Sequence, residues 1–296
     1  MIDGAVLHNI LGFGPVFLLL AVRAYAMMQV APIFSSGAIP PVAKIALAGL
    51  AAFAVMPTAE VFFAEDSLTG VPGVGIVTLP GGAVTDLRYA PFSFTFLLLI
   101  VGEGIIGIII GFFMMIIFAT FASAGQFFSL QMGFAASAAF DPLAQVENPL
   151  MGQFLNLVAM LVFLTIGGFQ QLFLGGFWRS VQTINIISLI EGAEPVITMI
   201  VSGLPRLFLD AIVISMPILG TLFLTSLATG LISKAAPQIN ILSEGFPISI
   251  TVAFIIVMAS LPFMTEAFSR VINSGFSTLE SLYIQIGRQI TGGDGF

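Results

Sequence analysis

Six apolar stretches set the limits on what this chain can fold into: Ile10 to Phe34, Val42 to Phe63, Phe92 to Ala122, Leu150 to Gly176, Pro205 to Ser233 and Ile248 to Met264. All but the last exceed the roughly 20 residues a helix needs to cross the hydrocarbon core of a bilayer. Only 8% of the residues are charged, against about 25% in soluble domains. Backbone in lipid must satisfy its own hydrogen bonds, which leaves helices and closed barrels. Barrel strands alternate over about ten residues, and these runs do not. The expected fold is therefore all-α, a polytopic helical membrane protein with about six long apolar helices.

The connections are uneven. Ser35 to Pro41 has turn composition. Ala64 to Pro91 is the longest hydrophilic link, long enough to carry a short helix or a partner contact. Phe177 to Leu204 is mixed, and Lys234 to Pro247 is a turn leading into the last block. After Thr265, the residues Phe268, Ile272, Phe276, Leu279, Tyr283 and Ile286 recur at helical spacing. They predict an amphipathic tail helix at the interface or against a partner. With six spans, Arg88, Arg179, Arg206, Arg270 and Arg288 lie on the side of the termini, and Lys44 and Lys234 opposite. The positive-inside rule then puts both termini in the cytoplasm. No basic region precedes the first apolar run, so no cleaved signal peptide is expected.

Chemistry-bearing residues are few. There is no cysteine, His8 is the lone histidine, and no phosphate-cradling or zinc-binding motif occurs. No catalytic residue, cofactor or metal is expected. A formal charge of −7 argues against nucleic acid, which needs a basic surface. Three ionisable groups are read as intramembrane: Arg23, Glu103 and Asp210. Such groups are either pathway residues or charges that pair with one another or with partner subunits and fix helix register, and the second reading is preferred. Asp210 lies one turn after Arg206 and can pair with it. Arg23 requires protein around it. Glu103, Gly107 and Gly111 share one face, where small residues let a neighbouring helix come close. If that neighbour is another subunit, Glu103→Gln should harm the protein less than Gly107→Leu. Met27-Met28 and Met114-Met115 are core filling, or a soft seal.

Gly125 to Pro149 differs from the blocks on either side. As a helix it would carry Gln126, Ser129, Gly133 and Ser137 on one stripe, until Asp141-Pro142 stops it. Two readings fit: a lumen-facing segment at membrane depth, or a connector lying on the membrane surface. Phe134 and Phe140 supply bulk, Ala135 to Ala139 allow movement, and the acidic flank suits a watery vestibule.

Two further stretches carry a resemblance. Arg23 to Pro57, RAYAMMQVAPIFSSGAIPPVAKIALAGLAAFAVMP, is similar to the opening of the FliR family of flagellar and type III secretion export-gate proteins. Ala228 to Ile250 resembles that family's most recognisable segment, with Lys234, Pro237, Gln238 and Asn240 followed by Gly245, Phe246 and Pro247. Glu103-Gly104 with Gly107, and Gln131-Met132-Gly133 through Phe134, Phe140, Asp141 and Pro142, match in the same order. Lys234 stands where the family usually has arginine, and Ala136 and Ala139 where bulkier residues are usual.

The resemblance implies a structural subunit, without enzymatic activity, of an export gate in the bacterial inner membrane at the flagellar basal body. It implies FliP-like and FliQ-like small membrane proteins as partners, with FlhA/FlhB-like components, unfolded export substrates and membrane lipid. It also implies one membrane domain over 1–296, in which a FliP-like part (1–204) containing a plug-like segment (125–149) precedes a FliQ-like hairpin and tail (205–296). The gate itself would be a helical hetero-oligomer. Lys234 through Pro247 would form the conduit's entrance turn, and neighbouring subunits would surround Arg23, Glu103 and Asp210. The competing reading is a secondary carrier of an ion or small solute using Glu103 and Asp210, although no internal repeat of the usual carrier kind is visible. Flagellar and virulence systems are not separated at this level.

Overall fold

A computed structural model describes residues 4–35, 39–63, 76–78, 84–86, 94–132, 150–184, 193–236 and 241–290. In chain order these form α1 (Gly4–Val30), α2 (Pro32–Ser35), α3 (Pro41–Phe63), β1 (Ile76–Thr78), β2 (Val84–Asp86), α4 (Phe94–Gln131), α5 (Leu150–Thr165), α6 (Gly168–Thr183), α7 (Ala193–Ala235) and α8 (Ile241–Ile290). The two prolines Pro32 and Pro41 each open a helix, where the missing amide proton is not needed and the fixed φ already suits the turn.

Three helical stretches are long and apolar enough to cross a membrane: Phe96–Gln131, Ala193–Ala235 and Pro247–Ile286. A fourth results if α5 and α6, bent by 78° at their junction, count as one broken span. Shorter apolar helices cover Gly14–Val30 and Pro41–Met56. The protein is thus a helical membrane protein, with three or four span candidates among the described residues where the sequence suggested about six.

Several sequence-level boundaries move. The hydrophilic link after α3 carries a two-stranded antiparallel hairpin, with Ile76 opposite Asp86 and Thr78 opposite Val84. A short helix or a partner contact was expected there. β-branched residues flanking Pro80-Gly81-Gly82 are the hairpin signal. Gly125 to Gln131 is not a separate segment but the end of α4. The fifth block begins at Ala193, twelve residues before Pro205, which is interior to α7 together with Pro217. Gly245, Phe246 and Pro247 lie in the first turns of α8 and not in a turn. Proline breaks helices in water, but apolar helices tolerate it because neighbouring groups re-satisfy the freed backbone.

The break between α5 and α6 is made by Gly167, whose φ is +70°. A side chain there would meet nothing within 4 Å, so the demand is purely conformational. Gly167→Ala is expected to cost about 1–2 kcal/mol, the usual penalty for left-handed backbone in a residue with a Cβ. Thermal unfolding of the purified chain in detergent would measure it, and an unchanged midpoint would show that another conformation serves the bend.

The residues divide into two units. One comprises Met1–Met115, Phe169–Ile200 and Phe276–Phe296. Its core includes Leu19, Leu20, Met27, Met28, Ile106, Phe177 and Tyr283, all fully buried or nearly so. Phe34 packs on Phe169 and Phe173, with ring centroids 5.4 and 6.2 Å away. The other unit comprises Ile116–Gly168 and Val201–Gly275. Phe121 lies 4.4 Å from Phe268 and Phe118 lies 5.7 Å from Phe163, centroid to centroid. Gly125 lets α4 approach the start of α5, since a Cβ would meet the Met151 carbonyl and, at 2.6 Å, the Gly152 Cα.

The tail stripe is a correction to the interface or partner reading. Phe268, Ile272, Leu279, Tyr283 and Ile286 are buried within this chain. The amphipathic pattern is real, but the apolar face it advertises is already covered.

Candidate functional site

The site grows from one charge that cannot be left alone. Arg23 sits in the apolar part of α1 and is 2% exposed; Glu103, in α4, is 5% exposed. The Arg23 Nε donates to Glu103 Oε2 at 2.5 Å, and its Nη2 to Glu103 Oε1 at 2.9 Å. This is the two-pronged arginine–carboxylate arrangement, stronger than a neutral hydrogen bond and fixed in orientation. The remaining donors reach α6. Nη1 donates to the Ser180 hydroxyl at 3.2 Å and Nη2 to the Ile184 carbonyl at 2.9 Å. Ser180 in turn donates to the Phe177 carbonyl at 2.6 Å. Three helices are thereby joined by one guanidinium.

Glycine makes the approach possible. A Cβ at Gly107 would run into the Arg23 carbonyl and come to 2.9 Å from the Ala26 Cβ. At Gly111 it would come to 2.7 Å from the Met27 carbonyl and 2.9 Å from the Val30 Cβ. Glu103, Gly107 and Gly111 thus form one seam, and α1 of the same chain fills it. The expectation of a neighbouring subunit on that face is overturned. So is the idea that subunits surround Arg23 and Glu103.

α6 has its own irregularity. From Gln171 to Trp178 it is wound as a π-helix, a form seen mostly as short insertions and often at functional sites. The Gly176 carbonyl accepts both the Arg179 amide and, at 2.7 Å, the buried Tyr283 hydroxyl of α8. Arg179 also forms an exposed ion pair with Glu280. The wide turn is therefore held by α8 on one side of its length and by Arg23 just beyond its end.

Asp210 is in the other unit. It pairs with Arg206 at 3.7 Å, one helical turn back, as the spacing predicts. Arg206 also donates to Ser274. Both side chains of this pair remain partly exposed, unlike those of Arg23 and Glu103. Of the methionines, Met27, Met28 and Met114 are core, and Met115 is half exposed.

The plug-like set is described only at its start. Gln131 is exposed and ends α4; Met132 is buried, its amide donating to the Phe128 carbonyl at 2.9 Å. Gly133, Phe134, Phe140, Asp141 and Pro142 lie outside the described residues. Of the entrance set, Lys234 is exposed in the last turn of α7, and Pro247 is exposed in α8. Pro237, Gln238 and Asn240 lie outside the described residues.

Sequence spacing missed Ser180, the Ile184 carbonyl and Tyr283. Each acts across more than a hundred residues, and no local pattern announces it. That the intramembrane charges pair with one another was the preferred reading of the sequence, and Arg23 with Glu103 bears it out; the spacing did not say which of the three groups would meet. Among the described residues, both oxygens of the carboxylate accept hydrogen bonds from Arg23. Such a pair fixes helices rather than relaying protons.

Comparison with known proteins adds the family context. Residues 15–275 match the family described as bacterial export proteins, family 1. The flagellar biosynthetic protein FliR of Bacillus subtilis (strain 168) is 26% identical over 283 residues, covering 95% of this chain and 99% of that protein. The FliR protein of Escherichia coli (strain K12) is 29% identical over 259 residues, 85% of this chain and 87% of its own length. The surface presentation of antigens protein SpaR of Shigella flexneri is 29% identical over 160 residues, 53% of this chain and 60% of that protein.

Proposed function

Since the chain belongs to the bacterial export proteins, family 1, we propose that it is a structural, non-enzymatic subunit lining the closed conduit through which unfolded substrates leave the cytoplasm. It is a component of a flagellar or type III protein-export apparatus. The family match across residues 15–275 is the observation that carries the reading. The carrier alternative is not supported. Glu103 is neutralised by Arg23 and Asp210 faces Arg206, and its relatives are export proteins.

In this reading the protein resides in the bacterial inner membrane at the basal body, beside FliP-like and FliQ-like small membrane proteins and FlhA/FlhB-like components. Extensive uncovered apolar surface supports a place among partners and lipid: on α7 and α8, Leu231 is 71% and Met258 72% exposed. Residues 1–204 act as the FliP-like part and 205–296 as the FliQ-like part, although α7 runs unbroken through the boundary between them. Of residues 125–149, those that follow the end of α4 serve as the resting plug. Lys234, Pro237, Gln238 and Asn240 with Gly245 to Pro247 serve the entrance.

The test is affinity purification of a tagged chain from membranes of its own cells. Two small hydrophobic membrane proteins are expected to co-purify in fixed ratio, and the chain alone is expected to move no solute into liposomes. Purification of the chain as an isolated monomer that drives solute uptake would overturn the reading.

A further inference from the structure

Among the described residues, one buried cation has no counter-charge. Lys44, in the first turn of α3, is 7% exposed. It belongs to the same side of α3 as the buried Ala48, Ala52 and Val55. Its ammonium donates to the Gln29 side-chain oxygen at 3.2 Å, and among the described residues it has no carboxylate partner. The Gln29 amide is itself engaged, its Nε2 donating to the Tyr25 hydroxyl at 2.5 Å. An ammonium carries three donors, and Gln29 is a neutral acceptor. Because Gln29 donates to it, the Tyr25 hydroxyl keeps its own proton to give. Lys44 and Tyr25 therefore flank the exposed Gln29 as two donors carrying one positive charge.

We propose that Tyr25, Gln29 and Lys44 form a receiving site for a carboxylate, supplied by an Asp or Glu side chain of another subunit of the apparatus. A buried charge is stable only when paired, and the described part of this chain does not pair it. A carboxylate has two oxygens, one for the Lys44 ammonium and one for the Tyr25 hydroxyl. The surroundings also favour a protein ligand. Val42 and Ile45 beside Lys44 are 75% and 59% exposed, an apolar rim suited to a packed helix. Lipid headgroups are held by clusters of basic residues. Here Lys44 is the only lysine or arginine of α3, and Arg23, the only one of α1, is committed to Glu103. The site rests on the assignment of the chain to a multi-subunit apparatus.

The experiment compares wild type with Lys44→Met in cells carrying the whole apparatus, reading two quantities: recovery of the assembled complex, and thermal stability of the lone purified chain. Removing an uncompensated buried charge should leave the lone chain as stable as wild type or more so. Assembly should fall about tenfold or more, the ratio expected when a charge-assisted pair is lost. In parallel, Val42 is replaced by a photoreactive benzophenone amino acid. Cross-linking should capture another protein chain, with an Asp or Glu within about one helical turn of the attachment point. Exchanging that residue for Lys in the Lys44→Glu background should restore assembly. Unchanged assembly in Lys44→Met would overturn the site. So would a parallel fall in lone-chain stability, which marks Lys44 as a folding residue, or cross-links confined to phospholipid. A wild-type chain that recovers no partner at all would instead refute the function proposed above.

Discussion

Gly107→Leu should leave almost no folded protein, and Gly111→Leu little more. At both positions the first obstacles are main-chain atoms of α1, namely the Arg23 carbonyl and Met27 amide for Gly107 and the Met27 carbonyl for Gly111. A clash with a side chain can relax by rotation, whereas this one requires the two helices to separate. Separation would also pull Glu103 from Arg23. The cost should exceed the roughly 1–3 kcal/mol typical of an overfilled core. Gly104→Ala is the control, because a Cβ there meets only the Val22 Cγ1 at an ordinary 3.8 Å. The amount of monodisperse protein extracted from membranes should drop about tenfold or more for the two leucine variants and remain near wild type for Gly104→Ala. Export measured in the same cells should follow the protein level. Normal accumulation of Gly107→Leu would mean that the α1–α4 seam is not closed in the membrane.

Much of this seam was readable in advance, though not its identity. A four-residue recurrence of Glu103, Gly107 and Gly111 states that something must come close, because such spacing puts all three on one helix face. It does not state what comes close, and the answer lies some eighty residues earlier in α1. The same holds for the tail. Phe268 through Ile286 keep helical period whichever surface covers them, and the cover turned out to be this chain. Where local chemistry alone decides, the sequence reading was accurate: Arg206 and Asp210 pair one turn apart. Where it failed, it trusted rules suited to water. Pro205 and Pro247 looked like boundaries, yet in long apolar helices the backbone carries on through them. The hairpin at Ile76–Asp86 was overlooked because its strands are only three residues long, too short to show alternation. The π-turn of α6 has no sequence signal beyond Gly175-Gly176, which equally well marks close packing.

The Arg23–Glu103 pair separates a structural role from a proton-relay role by the sign of one comparison. Removing one member of a buried ion pair leaves the other charge unpaired, at a cost of about 3–5 kcal/mol, whereas replacing both by apolar residues of similar volume is often neutral or stabilising. Here the single change Glu103→Leu strands a guanidinium that still has Ser180 and the Ile184 carbonyl to bind but no carboxylate partner among the described residues. Arg23→Met strands a carboxylate with no described partner. Both should lower the thermal midpoint of the purified chain by an amount consistent with that cost. Glu103→Gln should lie between wild type and Glu103→Leu, because its amide oxygen can still accept one arginine hydrogen bond while the charge is gone. The double variant Arg23→Met/Glu103→Leu should recover most of the lost stability and most of the export. Full recovery is not expected, since Ser180 and the Ile184 carbonyl lose a donor, each worth about 1 kcal/mol. A double variant that folds as well as wild type yet exports nothing would point the other way. Stability would then be independent of the charges and export dependent on them, and the pair would have to be read as working groups of the conduit instead of the brace between its helices.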